Sequence, residues 1–246
     1  APPANTTNIT QTGQRVKVNG DGDIKAGWTV NLNQDSSSAQ YILFDTEADP
    51  TNIMGSLNAN GQVFIFDQNG VIFSPGSQVN VGSIVASSGT LTSDDAELDT
   101  GKVSIALNSA TDGAVTNGGI ITVAEAGLAA FVAPNITNSN YVNAKMGTIA
   151  MAAGQTVTLD MYGDGLVEVA VNGALADGLI SNTGTIEAQG GNVIISAEAA
   201  KNAVDNVINM GGTTTVTGFT SKAGKIVLSG GSKGTVNLGD FSSTSA

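Results

Sequence analysis

The side chains able to do chemistry in this 246-residue chain are mostly carboxylates and amides, because histidine and cysteine are both absent. That composition removes Ser-His-Asp and Cys-His catalysis and any His-ligated metal centre. Paired carboxylates remain, the arrangement that glycoside cleavage uses. Two pairs qualify: Asp160 with Asp164, and Glu187 with Glu198. The first pair flanks the turn Met161-Tyr162-Gly163, where aspartate serves turn geometry without any catalytic role, so the turn reading is preferred and no catalytic residue is assigned.

Asn19-Gly20-Asp21-Gly22-Asp23 alternates oxygen ligands as a calcium loop does, but Ile24 and Val30 stand where such a loop wants Gly and Glu. It reads as a solvated turn. Gly230-Gly231-Ser232-Lys233-Gly234-Thr235 lacks the spacing and the following helix of a phosphate loop and also reads as a turn. Asn117, Asn140, Asn182 and Asn209 recur at similar points of similar segments, which suggests a stacked amide ladder with a structural role. Trp28 and Tyr41 read as packing or cap residues. No metal or cofactor is expected.

The elements that must carry these residues are short strands. Glycine accounts for 32 of the 246 residues, aromatics for 4% and charged residues for 12%, which is the profile of many strands joined by tight turns. A unit recurs in which an Asn or Gly turn leads into a short apolar-alternating strand, as in Asn117–Val123, Ser181–Ala188 and Asn209–Val216. Further strands are predicted at Gly147–Met151, Thr156–Met161, Leu166–Val171, Asn192–Ala197, Lys225–Leu228 and Thr235–Leu238. Turns returning roughly every 20 to 27 residues indicate coils of a solenoid, each burying its apolar face by stacking on its neighbours. A β-sandwich would give short strands as well, but it calls for hairpins and no recurring coil.

Two segments break the pattern. Ser93–Asp99 is acidic and reads as a solvated excursion. Ser196–Met210 carries apolar residues at spacings of three and four behind Ser196, and predicts a short helix lying on the solenoid side.

A net charge of −12 repels phosphate backbones and anionic lipid, so nucleic acid and membrane surfaces are poor partners. No apolar run approaches the roughly 18 to 20 residues that span a bilayer, the longest being Leu128–Ala133, so no membrane insertion is expected. The chain opens Ala1-Pro2-Pro3-Ala4, consistent with prior removal of a signal peptide, and an absence of cysteine suits passage through an oxidising periplasm. The polar tail Phe241–Ala246 offers no capping element, so the natural protein is expected to continue beyond it.

Gly61–Phe73, followed by Gln78–Ser87, resembles the secretion domain of two-partner secretion exoproteins, the filamentous-haemagglutinin-like adhesins with their haemolysin and contact-toxin relatives. Ala133–Asn138, Met151–Asp160, Gly163–Leu166 and Asn182–Gly191 extend the resemblance in order along most of the chain. It implies an all-β, right-handed parallel β-helix with an amino-terminal cap and first strands over residues 1–51 and coils over 52–246, as one domain of a longer exoprotein.

It further implies a non-enzymatic role in secretion targeting and folding nucleation. The partner would be an outer-membrane transporter barrel with periplasmic domains, the destination the cell surface or medium, and the chain a monomer. Host or neighbouring-cell contacts would fall to the downstream region. Recognition is expected at Asp67, Gln68, Asn69 and Gly70, where the family usually has Asn-Pro-Asn-Gly, and at Asn80 and Gly82. Two alternatives stay open: an adhesin module that itself binds a receptor or glycan, and a β-helix enzyme acting on polysaccharide.

Overall fold

The structure is a computed structural model and describes residues 5–161, 169–176, 178–198, 208–216, 225–229, 236–238 and 243–245. It is a parallel β-helix of right-handed hand, as the resemblance implies. Among the described residues three long parallel sheets, here called A, B and C, hold nine, eight and seven strands. The chain visits them in turn. One coil runs from Ser56–Ala59 in sheet A through Gln62–Phe66 in sheet B to Gly70–Phe73 in sheet C. The next begins at Gln78–Val81 in sheet A and Ser83–Ser87 in sheet B. The segment Gly61–Ser87 thus supplies strands to all three sheets.

The boundary expected near residue 51 is not marked by any break in pairing. Thr29–Gln34 pairs parallel with Ser56–Ala59, and Gln40–Phe44 with Gln62–Phe66, so the first strands expected before that boundary lie in the same sheets as the coils after it. Even Ile24, outside any strand, bridges Ile53 in the position that sheet C occupies in later coils. The tail also joins: Ser243–Ser245 pairs with Thr213–Thr215 in sheet A.

Sheet B differs from its companions in being buried on both faces. In Gln62–Phe66, Ser83–Ser87, Leu128–Val132 and Thr148–Ala153 every residue is buried, whereas strands of sheets A and C alternate. Val63, Ile65, Ile84 and Phe131 point into the solenoid; Phe64, Val85, Ala130 and Ala150 point outward and are equally hidden. Continuous apolar runs are what a sheet covered on both faces requires.

The cover comes from two excursions that leave the coil between sheets B and C. Thr90–Leu91, Lys102–Ala106, Thr156–Asp160 and Val169–Asn172 make a four-stranded antiparallel sheet. Its Val103, Ile105, Val157 and Leu159 are fully buried and belong to the same apolar cluster as sheet B.

The bounds of the helix expected over Ser196–Met210 are corrected at both ends. Asn192–Ala197 and Ile208–Met210 are strands, so both ends of the helix predicted over Ser196–Met210 are extended; residues 199–207 lie outside the described set. Ser196 pairs with Ala152 and cannot act as an N-cap. The described helix is Asp95–Asp99, inside the acidic excursion. Asp94 caps it, accepting from Glu97 N at 2.8 Å while Glu97 reaches back to Asp94 N at 3.3 Å. Leu98 of this helix is fully buried. Arg15 meets Asp99 at 2.8 Å and Asp95 at 3.4 Å, and Lys17 meets Asp95 at 2.6 Å, so a segment from the fourth coil clasps the first. The lysine's hydrogen bond and charge hold the Asp95 carboxyl below the usual range.

Glycine fixes the corner between sheets A and B. Gly61, Gly82, Gly127, Gly147 and Gly191 stack in one column, and a Cβ at each would collide with the backbone carbonyl of the glycine or alanine one coil before. At Gly82 that contact would be 2.5 Å from Gly61 O. The column exists because the coils approach too closely there for any side chain.

Candidate functional site

The expected recognition residues fall on two corners of the solenoid. Asp67-Gln68-Asn69-Gly70 turns from sheet B into sheet C. Asp67 is 1% exposed and its carboxylate is fully engaged. Oδ2 accepts from Thr51 N at 2.5 Å and Thr51 Oγ1 at 2.9 Å, while Oδ1 accepts from Asn69 N at 2.8 Å. The aspartate therefore builds the turn and joins it to the preceding coil. Gly70 has φ +119°, and a Cβ there would sit 2.6 Å from Ala114 O. Gln68 and Asn69 are exposed. Gln68 Nε2 reaches Asp112 Oδ1 at 3.4 Å, and Asn69 Nδ2 donates to Glu47 O at 2.9 Å.

Asn80 and Gly82 stand at the end of a sheet A strand and the A-to-B corner. Gly82 belongs to the glycine column. Asn80 is exposed and completes a surface amide ladder that sequence reasoning missed: Asn31 donates to Asn8 at 2.8 Å, Asn58 to Asn31 at 2.9 Å and Asn80 to Asn58 at 3.3 Å. Their spacings of 23, 27 and 22 residues carry the coil period, which is the signal that could have found them. No hydrogen bond among the described residues joins the two corner groups, so the folded chain presents Gln68 and Asn69 on one corner and Asn80 on another.

The interior ladder is corrected at two positions. Asn117 Nδ2 donates to Asn138 Oδ1 at 2.8 Å, and Asn138 Nδ2 to Asn182 Oδ1 at 2.7 Å, all three residues being fully buried. Asn140 stands outside it, its amide donating to Gly118 O at 2.7 Å. Register is the reason: Asn138, at the end of its strand, is the partner of both Asn117 and Asn182, whereas Asn140 lies beyond that strand. At the far end Met210, not Asn209, pairs with Asn182; Asn209 faces Ser181 in register, and its side chain lies outside the described set.

Of the carboxylate candidates, Glu187 and Glu198 stand at different sheets. Asp160 ends a strand of the antiparallel cover in register with Lys102, and Asp164 lies outside the described residues. Glu187 sits on sheet A, where its Oε2 accepts from Tyr141 OH at 2.7 Å, whereas Glu198 follows a sheet B strand. The Asn19–Asp23 segment is a turn in which Asp21 accepts from Asp23 N at 2.8 Å and Asp23 from Asn52 N at 2.6 Å. Burial, then the neighbouring Asp21, Asp49 and Asp45 charges, push the Asp23 carboxyl up, against the bond from Asn52. The Gly230–Thr235 segment lies outside the described residues. Among those residues no three His, Cys, Asp or Glu side chains gather to hold a metal, and no helix is long and apolar enough to cross a membrane.

A parallel β-helix with an antiparallel side layer, carrying its polar positions on corners and outer faces, defines an architecture more than a chemistry. The family follows from comparison: residues 5–242 match the TPS secretion domain, and the chain belongs to that family, the secretion domain of two-partner secretion exoproteins. Its structure is similar to the crystal structure of the HMW1 secretion domain from Haemophilus influenzae, with a TM-score of 0.78 at 21% identity over 96% of this chain and 62% of that one. In sequence it is 26% identical over 202 residues to the heme/hemopexin-binding protein of H. influenzae strain ATCC 51907, covering 79% of this chain and 22% of that protein. The chain thus spans less than a quarter of that relative's length. The family is one of secretion domains and not of enzymes, and its exoproteins are secreted across the outer membrane.

Proposed function

We propose that this domain hands its exoprotein to a cognate outer-membrane transporter barrel and nucleates the β-helix as the chain emerges. Membership of the secretion-domain family over residues 5–242 carries the reading. In the extended state, strand segments present unpaired backbone to the transporter's periplasmic domains and pair by β-augmentation. Gln68-Asn69-Gly70 and Asn80-Val81-Gly82 give specificity in that state, where Asp67, Gly70 and Gly82 are not yet buried. Outside the cell each strand of sheets A, B and C after the first pairs with its equivalent in the coil before, so a formed coil templates the next. Added coils bury apolar surface and bias transit outward. The domain acts as a monomer without cofactor or catalytic step, and contacts with host or neighbouring cells belong to the downstream region of the exoprotein.

Export with the cognate transporter tests this. Deleting Gly61–Ser88 abolishes surface display, and replacing Asn69-Gly70 by Ala-Ala impairs it. Display at the wild-type level after both changes refutes the reading.

A further inference from the structure

We propose that a groove at the corner between sheets C and A binds a neutral saccharide, with Tyr141 and Glu187 at its lip. The groove has a volume of about 480 Å³ and is lined by Ser139, Asn140, Tyr141, Thr183, Thr185 and Thr213, with glycines between them. Its floor is bare because coils meet there: a Cβ at Gly184 would collide with Asn140 O, and one at Gly212 with Gly184 O. The walls are therefore hydroxyls and an amide, with the Tyr141 ring at the edge and no charged side chain; Ser139, Thr183 and Asn140 already donate to Asn117 O, Asn138 O and Gly118 O, which leaves their oxygens as acceptors.

The ring is preset. Tyr141 OH donates to Glu187 Oε2 at 2.7 Å and accepts from Asn143 Nδ2 at 2.8 Å, which fixes its plane beside the groove. Glu187 Oε1 has no hydrogen bond among the described residues and is available to a ligand's hydroxyl donors. Ile120, 36% exposed, is the register partner of Tyr141 and extends its apolar surface along the face.

Other ligand classes fit this place poorly. No cation lines the groove to hold an anion, and the net charge of −12 opposes one. A single carboxylate does not make a metal site. Tyr141–Ala144 is paired on both sides, by Ile120–Val123 and Thr185–Glu187, so a peptide finds no free edge to extend. What matches a row of uncharged hydrogen-bonding groups beside an aromatic and aliphatic strip is a molecule with hydroxyls at its rim and C–H faces, a sugar ring. The proposal does not depend on the export reading, since it concerns the folded domain.

The whole chain is titrated by calorimetry and by saturation-transfer NMR with maltohexaose, cellohexaose and chitohexaose in the millimolar range. At least one binds, and Tyr141→Ala and Glu187→Gln each weaken it about tenfold or more. Trp28→Ala, which removes an exposed aromatic several coils away, leaves affinity unchanged. Circular dichroism verifies that each variant is folded; the near-isosteric Glu187→Gln keeps the test informative if Tyr141→Ala misfolds. Absence of binding by all three sugars, or wild-type affinity in a folded Tyr141→Ala or Glu187→Gln variant, overturns the assignment.

Discussion

Asn138→Ala separates the interior ladder from its surroundings. Asn138 sits between Asn117 and Asn182 with bonds of 2.8 and 2.7 Å, and none of the three is exposed. Truncation leaves one donor on Asn117 and one acceptor on Asn182 without partners in the core. At about 1 to 3 kcal/mol for each stranded buried group, the loss is roughly 2 to 6 kcal/mol. Asn140→Ala, two residues on, removes one bond to Gly118 O from a partly exposed side chain and costs about 1 kcal/mol. Urea unfolding followed by circular dichroism distinguishes them. At a slope of about 3 kcal/mol per molar urea, Asn138→Ala lowers the midpoint by roughly 1 to 2 M and Asn140→Ala by a few tenths. Asn138→Asp adds a sign. A buried carboxyl has its folded pKa raised above the unfolded value of about 3.9, so the variant keeps its stability at acid pH and loses it as pH rises through the folded pKa. Equal midpoints for the two alanine variants would refute the ladder as a source of stability.

Other consequences follow from the corners and the clasp. Gly147→Ala forces a methyl onto Gly127 O and abolishes soluble folded protein, whereas Gly76→Ala, at φ +91° with open space around it, costs only about 1 kcal/mol of backbone strain; expression and thermal melts compare them. Leu98→Ala empties a fully buried site in the clasping helix and lowers stability by about 2 to 5 kcal/mol in a urea titration. Asp95 and Glu97 have folded pKa values lowered by hydrogen bonds from Lys17 and Lys102 respectively, so the stability they contribute is present above the ordinary carboxylate range and is lost as pH falls through the folded values. Melting temperature measured from neutral pH down to about pH 3 therefore falls less steeply in Arg15→Ala/Lys17→Ala than in the wild type, and an unchanged acid limb would show that the clasp carries no load.

Much of the solenoid could be read from the chain. Asn192–Ala197 is a strand with the bounds its alternation predicts, and Lys225–Ser229 ends one residue beyond the expectation. Local patterning suffices for such strands because each needs only a turn before it and a period of two. The antiparallel cover was hidden by distance: Lys102–Ala106 pairs with Thr156–Asp160 across a complete intervening coil. Its signal was nevertheless present in the unbroken apolar runs of sheet B, which demand a second layer. The helix predicted over Ser196–Met210 is extended at both described ends, and its middle lies outside the described residues; the described helix had its own signal, since Asp94 and Glu97 stand at the spacing of a capping box. At the candidate site the sequence marked the corner turn but not its division of labour. Asp67 and the two glycines are architectural in the folded chain, and only side-chain burial separates them from Gln68, Asn69 and Asn80.

The two excursions both leave the stack between sheets B and C, and the interior ladder is indifferent to them. Asn117 and Asn138 are 21 residues apart, Asn138 and Asn182 are 44 apart because a hairpin intervenes, and the two amide bonds differ by only 0.1 Å. Coil geometry thus depends on where a loop begins and ends and not on what it contains. That corner is a splice point: a foreign peptide whose two ends lie close together, as those of the turn closed by Thr111 N and Asp112 N on Asn108 O do, could replace Ser109–Asp112 without altering the pitch of the stack.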